Sequence, residues 1–525
     1  MTLSRFAWRH VWRGAVIWSG VLAIIVLTAI ATFESAYPNE GSREAFARSI
    51  GQLPAFQALY GRAVGVDTVG GFLTWRYGDI MSLIIGLWAL LLVTRMMRAD
   101  EETGRAEVLV AGRVPPRRLL LVQYAVFLAG CALIMTAVTV AGVAGGLPVG
   151  GSILFGFMVA AGGVIFGSVA AVTSQLFDAR RRAAGWAGAA LGASFLVRAL
   201  ADGSSKLHSL AWITPLGWTE RVEPFTGASV VPIVVIVAAS GLLFSGAFLM
   251  REYRDTGAGL IGARTSRGRP RPMRSSLELD WHLSTGALVA WGSGIFVILF
   301  VLGYLTHDMV RFANDNPTIT KALNRVYGYS IASPVGFLSV SFGFAALLLA
   351  VYAGSHMLSA REDEAAGRAD TLVIAGTSRI AWLLSRIAIA LIAIAVLALV
   401  AAFGAWLGAS VSGVSVGFVH SLEASINVIP ASLLFGGLSV LAFGSFPRFT
   451  AYVTFGSVAA CYVIQVLGGL SHAPHWLTKV SPFAHIAPVP AASVDLHATL
   501  AMLAIALATS ALGVSAFARR DLARD

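Results

Sequence analysis

Two stretches of this 525-residue chain concentrate charge of both signs. Residues 98–110 read RADEETGRAEVLV, and residues 361–373 read REDEAAGRADTLV. Carboxylates and guanidinium groups this close together suit ion pairing and docking. Eight of the thirteen positions are identical at an offset of 263. They include Arg98/Arg361, Glu101/Glu364, Gly104/Gly367 and Arg105/Arg368, while Glu107 falls on Asp370. Unrelated segments of ordinary composition would share about one residue. Polar surface segments tolerate change, so a match kept in both halves points to one constraint acting twice. A partner that docks at both copies would impose it.

The other chemistry-bearing groups are sparse. Arg198 and Asp202 are four apart and can pair on one helix face. Ionisable groups at membrane depth are costly and usually functional, so this pair is a candidate gate as well as a candidate ion pair. Asp79 and Gln465 are weaker candidates of the same kind. His472, His475 and His485 lack the cysteine or carboxylate company of a zinc site, and no metal is expected. Gly413, Ser415 and Gly417 spell G-x-S-x-G without the strand-to-helix turn of a nucleophile elbow. Glu34 and Glu40 could serve a membrane glycosyltransferase, but a solvated loop is the simpler reading. A phosphate-binding loop needs a Gly-Lys step. The three lysines, Lys206, Lys321 and Lys479, follow Ser205, Thr320 and Thr478. ATP hydrolysis by that machinery is therefore not expected of this chain.

The elements that carry these residues are apolar. Hydrophobic residues make up 57% of the chain and charged ones 12%, against about 25% charged in soluble domains. An ordinary soluble enzyme is excluded. Cys131 and Cys461 both sit in apolar runs, which excludes a disulfide scaffold. A membrane-spanning helix needs ~20 apolar residues. About twelve such runs occur, centred near Ala23, Ile85, Gly130, Ala161, Gly192, Ala239, Ile295, Ala346, Leu391, Leu434, Ala459 and Ala506. The run from Ala15 to Phe33 is too long for a signal peptide and is expected to be retained.

Arginines cluster at Arg5–Arg13, Arg180–Arg182, residues 251–274 and Arg519–Arg524, alternating between the runs. The formal charge of +11 therefore reads as membrane orientation rather than nucleic-acid binding. The positive-inside rule predicts a multi-pass protein of the plasma membrane with both termini cytoplasmic. Residues 251–284 are rich in Arg, Gly and Pro and are expected to form a cytoplasmic linker. It divides a first six-helix half, residues 1–250, from a second, residues 285–525. Two further echoes support the duplication: Pro215/Pro482 at an offset of 267 and Arg254/Arg520 at 266. An all-α protein of two parallel six-helix repeats follows, as seen among transporters. Arg5, Arg9 and Arg13 with Phe6, Trp8 and Trp12 predict an interfacial helix before the first span. Residues 277–290, anchored by Trp281, take the same place before the seventh.

With these features the chain resembles the membrane subunit of an ATP-binding-cassette (ABC) exporter. It looks most like the permeases for polyketide antibiotics and multiple drugs, the tetronasin-type exporters. That family carries an elbow helix, a span, a long outer loop, a second span and then a coupling helix of the form R-x-x-E-x-x-G-x-x-E-x-L. Arg98, Glu101, Gly104, Glu107 and Leu109 fit it, as do Arg361, Glu364, Gly367, Asp370 and Leu372. Asp370 replaces the usual glutamate, and the second elbow lacks a basic stripe.

The resemblance implies the type V, ABCG-like exporter fold. It implies two copies of a separate cytoplasmic ABC ATPase, with ATP and Mg bound there and no cofactor on this chain. Hydrophobic small molecules would leave through a cavity between the second and fifth spans of each half. Met81, Trp88, Phe195, Phe337, Phe342, Phe455 and Tyr462 are the candidates to line it, since aromatic and methionine side chains offer adaptable contacts. The alternative is a proton-coupled secondary transporter of the major facilitator type, whose loop motif the stretch from Asp100 to Arg105 echoes only faintly.

Overall fold

A computed structural model describes residues 3–49, 56–57, 60–104, 107, 115–203, 207–255, 257–261, 275–315, 320, 324, 329–374, 376–470 and 479–520. The chain divides into two compact units, Met1–Arg269 and Pro270–Asp525. Their boundary falls inside the Arg/Gly/Pro-rich stretch.

The first unit carries α1 (Leu3–Ala36), α2 (Glu40–Ser49), α3 (Val69–Glu102), α4 (Pro116–Ala144), α5 (Val149–Leu176), α6 (Arg180–Asp202), α7 (Pro215–Glu220) and α8 (Val230–Met250). The second carries α9 (Ser276–Tyr304), α10 (Thr306–Asp315), α11 (Pro334–Ala365), α12 (Arg368–Ile374), α13 (Arg379–Val411), α14 (Phe418–Ser445), α15 (Thr450–Leu470) and α16 (Leu496–Arg519). Among the described residues, eleven helices are long and apolar enough to cross a membrane. The remaining run expected from the sequence, centred near Ala459, forms the 21-residue helix α15. Among the described residues the fold is all-helical and polytopic.

Within each unit the same helices pack together. In the first, α1 packs on α4, α3 on α5 and α6, and α5 on α8. In the second, α9 packs on α13, α11 on α14 and α15, and α14 on α16. Because lipid is as apolar as leucine, such contacts depend on close backbone approach. A Cβ on Gly162 would lie 2.4 Å from the Ser82 carbonyl oxygen, and one on Gly444 2.1 Å from that of Gly513. Only glycine permits α3–α5 and α14–α16 to close at those points.

The separate interfacial helix expected over residues 1–13 does not form among the described residues. The helix α1 runs unbroken for 34 residues. Gly14 is the one weak point there, and a lone glycine costs only about 1 kcal/mol in a helix. The glycine lets α1 pass tightly over Trp88 at that position, where a Cβ would sit 2.6 Å from the indole nitrogen. The stretch around Trp281 is likewise continuous with its span, in α9.

Candidate functional site

In each unit the second long helix, α3 or α11, ends at the repeated motif. The helix α3 closes with a π-helical turn, Arg95–Ala99, before Asp100–Glu102. Gly104 follows at φ +72°, and Gly367 follows α11 at φ +70°. Both backbones are left-handed, the conformation that favours glycine at a helix C-terminus. The amides of Gly104 and Gly367 donate to the Glu101 and Glu364 carbonyls at 3.1 and 2.9 Å. The repeated glycine therefore ends the helix and turns the chain.

The repeated glutamates face inward. Glu101 is buried and accepts from two arginines. Arg98 Nη1 donates to its Oε2 at 2.6 Å, and Arg254 donates to both oxygens at 2.8 and 2.7 Å. Arg251 Nη2 lies 3.6 Å away. Arg254 also donates through Nε to Gln175 Oε1 at 2.7 Å and through Nη1 to the Ala258 carbonyl at 2.6 Å. One guanidinium therefore links the ends of α3 and α5 to the chain leaving α8. Residues 258–261 then return along the end of α5, where the Leu260 and Ile261 amides donate to the Gln175 and Leu176 carbonyls. Burial pushes the Arg251 pKa below its usual value, and the neighbouring Arg254 pushes it the same way.

The second unit repeats the arrangement. Arg520, just past α16, donates to Glu364 Oε1 and Oε2 at 2.5 and 2.8 Å. Its Nε donates to the Gly444 carbonyl at 3.0 Å, and its Nη2 to the Phe443 carbonyl at 3.2 Å. Phe443 and Phe517 flank its guanidinium at 5.2 and 4.9 Å. The ends of α11, α14 and α16 are thus joined by one arginine, as the ends of α3, α5 and α8 are in the first unit.

The remaining motif residues divide by exposure. Glu107 and Arg368 are exposed, Asp370 is half-buried, and Ile374 is 86% exposed. Arg368 pairs with Asp363, which also pairs with Arg386. Arg361 donates to the Pro447 carbonyl at 3.1 Å. Arg105 lies outside the described residues, as do His472 and His475. Asp280, near the start of α9, is buried against Arg386 at 3.0 Å.

Arg198 and Asp202 pair at 3.5 Å, but the closer partner is Asp79, at 2.7 Å. All three are buried. Asp79 Oδ1 and Asp202 Oδ1 have no hydrogen bond among the described residues. Asp79 stands 22 residues before Glu101 on α3, about 33 Å at 1.5 Å per residue, so this cluster sits at the opposite end of the unit. The spacing that revealed Arg198 and Asp202 could not reveal a partner 119 residues away.

Within their own units the seven proposed cavity residues have different surroundings. Met81 is buried in the core of the first unit with Leu22, Ile134 and Phe155. Trp88 is wedged between α1 and α4, near Phe127. Phe195 lies under the Arg198 guanidinium at 5.1 Å. Phe337 is half-buried near the start of α11, and Phe455 is 36% exposed. Phe342 and Tyr462 do come together, on the wall of a cavity of about 250 Å³.

Similarity to known proteins agrees with this architecture. The family described as multidrug efflux system permease Rv1217c, C-terminal domain, matches residues 3–251 and 273–518. The multidrug efflux system permease protein Rv1217c of Mycobacterium tuberculosis is 34% identical over 511 residues, which cover 96% of this chain and 92% of that protein. The eleven candidate spans among the described residues fit a permease. By these matches the chain belongs to the Rv1217c family of multidrug efflux permeases.

Proposed function

We propose that this permease is the membrane half of an ATP-driven exporter of hydrophobic small molecules. Two copies of a separate cytoplasmic ATPase, holding ATP and Mg, would dock beneath residues 98–107 and 361–374. The two units would form the parallel repeats of a type V exporter in the plasma membrane, with both termini cytoplasmic.

The observation that carries this reading is the arginine–glutamate tie, built once in each unit. A docked ATPase needs a stiff connection to the spans. Glu101 and Glu364 are held on both oxygens by Arg254 and Arg520, and bidentate charge-assisted bonds are strong and directional. The buried members of the motif would transmit force, and the exposed Glu107, Arg368 and Ile374 would meet the partner.

The test is a mild-detergent purification of the tagged chain from native membranes, with quantitative mass spectrometry of its companions. Two ABC ATPase chains per permease is the expected result. A chain that emerges alone, and transports on a proton gradient without ATP, overturns it.

A further inference from the structure

The cavity of about 250 Å³ lies wholly within the second unit. Its wall comes from α11, α14, α15 and the segment around residues 483–489. Phe342, Tyr462 and Phe483 supply rings, and Tyr462 stands edge-on to Phe483 at 5.9 Å. Gln465 and Asn427 supply amides. Asn427 Nδ2 donates to the Ala487 carbonyl at 2.8 Å. Gln465 makes no hydrogen bond among the described residues.

The same place in the first unit can be located by two sequence registers. The offset of 263 at the repeated motif puts Asp79 on Phe342. The offset of 267 at Pro215/Pro482 puts Arg198 on Gln465 and Glu220 on Ala487. Contacts support the second register. The Leu216 amide donates to Ser194 Oγ at 3.0 Å, and Ser481 Oγ donates to the carbonyl of Cys461, the residue matching Ser194, at 2.9 Å. These three cavity residues stand where the first unit has charged ones, whereas Tyr462 and Phe483 fall on the uncharged Phe195 and Leu216. Where the second unit has a cavity, the first unit has the ion cluster of Arg198, Asp79 and Asp202, with the Glu220 carboxylate accepting from the Arg62 amide at 2.7 Å nearby.

The lining sets the ligand's chemistry. Among the described residues no charged side chain lines the cavity, so a charged ligand would be buried there without a partner, which is costly. Ring faces favour flat aromatic ligands, with about 0.5–1.5 kcal/mol per ring pair beyond area burial. The Gln465 amide offers one hydrogen bond. The volume is below the roughly 300–1,000 Å³ of pockets for drug-sized ligands, which limits the occupant to a few rings. We propose that the second unit alone binds the transported molecule in this cavity, as a flat, uncharged aromatic compound carrying a hydrogen-bonding group such as a ketone, while the first unit closes the matching place with ions. This rests on the reading of the chain as an exporter of apolar compounds.

The probe is benzophenone, an uncharged two-ring ketone that bonds covalently to nearby C–H groups under near-ultraviolet light. The full chain in lipid nanodiscs is irradiated with it, and adducts are mapped by mass spectrometry. Labelling is expected at Phe342, Gly343, Tyr462 and Gln465, and not around Asp79 and Arg198. Gly343 lines the cavity, and a Cβ there meets nothing within 4 Å, so the side chain of Gly343→Leu starts in open space and takes up cavity volume. It should abolish cavity labelling and leave that of exposed Leu507 unchanged. Gln465→Leu keeps the volume, removes the hydrogen bond and should weaken labelling. Labelling of both units alike, or labelling that survives Gly343→Leu, overturns the proposal. Efflux of the neutral dye Nile red from cells is read in parallel. Cavity labelling without any efflux by the wild-type chain refutes the exporter reading and leaves the site standing. Efflux that Gly343→Leu does not reduce overturns the placing of the cavity on the transport path.

Discussion

The guanidinium of Arg254 holds both carboxylate oxygens of Glu101, at 2.8 and 2.7 Å, across 153 residues of sequence. Arg520 holds Glu364 in the same way across 156. Two pairs that sit at matching places in a duplicated sequence also meet in space. The linkage explains why a polar segment outside the apolar spans is so well kept between the halves: its glutamate is a structural node joining three helix ends.

The node is asymmetric in charge, and that gives a first prediction. Glu101 faces Arg98, Arg251 and Arg254. Glu101→Gln leaves three guanidinium groups crowded at a buried site without their shared carboxylate. Removing one partner of a buried pair costs about 3–5 kcal/mol. Arg254→Met leaves Glu101 still paired with Arg98 and relieves arginine crowding. Thermal unfolding of the purified permease in detergent is therefore expected to show a larger drop in midpoint for Glu101→Gln than for Arg254→Met. Equal drops would mean that Arg98 and Arg251 are not held by this carboxylate.

At Arg520 the prediction concerns shape rather than charge. Its planar fork serves Glu364 and also donates to the Gly444 and Phe443 carbonyls. Lysine keeps the charge but is a compact point donor without the fork. Arg520→Lys is expected to lose most efflux at equal membrane abundance. The swap of Glu364→Arg with Arg520→Glu should not restore it, because a carboxylate at 520 would face two carbonyl oxygens. Full activity in either variant would show that only the net charge matters.

The sequence made one half of this arrangement legible and hid the other. The glutamates and the Arg254/Arg520 echo were both visible as repeats, since repetition survives without knowledge of neighbours. That they bond to each other was not, because no spacing rule links residues more than 150 apart. Arg198 and Asp202 were readable from helical spacing, whereas Asp79, the closer partner, comes from another helix. The cavity residues were the least legible. A large apolar side chain on a buried helix looks the same whether it faces a core, like Met81, or a cavity, like Phe342. The interfacial helix failed for a related reason: a basic, aromatic stretch gives a face but no break, and Gly14 alone supplies none.

The helix-ending glycines separate backbone strain from packing. Gly104 and Gly367 have positive φ and open space where a Cβ would go. Alanine there meets no clash, only the cost of a left-handed backbone, about 1–2 kcal/mol. Asparagine tolerates that region better. Gly104→Ala and Gly367→Ala are each expected to lower the unfolding midpoint, and Gly104→Asn and Gly367→Asn to lower it less. The same order should appear in efflux if the turn positions the segment that follows it. Alanine variants as stable as asparagine ones would contradict the left-handed turn.

The ion cluster at the opposite end of the first unit gives the sharpest test of coupling between buried charges. Arg198 is fully buried and lies 2.7 Å from Asp79 and 3.5 Å from Asp202. Arg198→Met strands two carboxylates, so the loss should be at the upper end of the about 3–5 kcal/mol typical of broken buried pairs. Neutralising all three in Asp79→Asn, Arg198→Met and Asp202→Asn removes both stranded carboxylates and leaves Glu220, which accepts from the Arg62 amide, as the remaining acid beside them. Replacing a whole buried ion group by neutral residues of similar volume is often close to neutral for stability. The triple variant is therefore expected to unfold at a higher temperature than Arg198→Met alone, a non-additivity that contacting residues show and distant ones do not. If the three changes simply add, Arg198 is not the shared partner of the two aspartates. If the triple variant is stable and exports normally, the cluster serves to close its site in the first unit and takes no further part in transport.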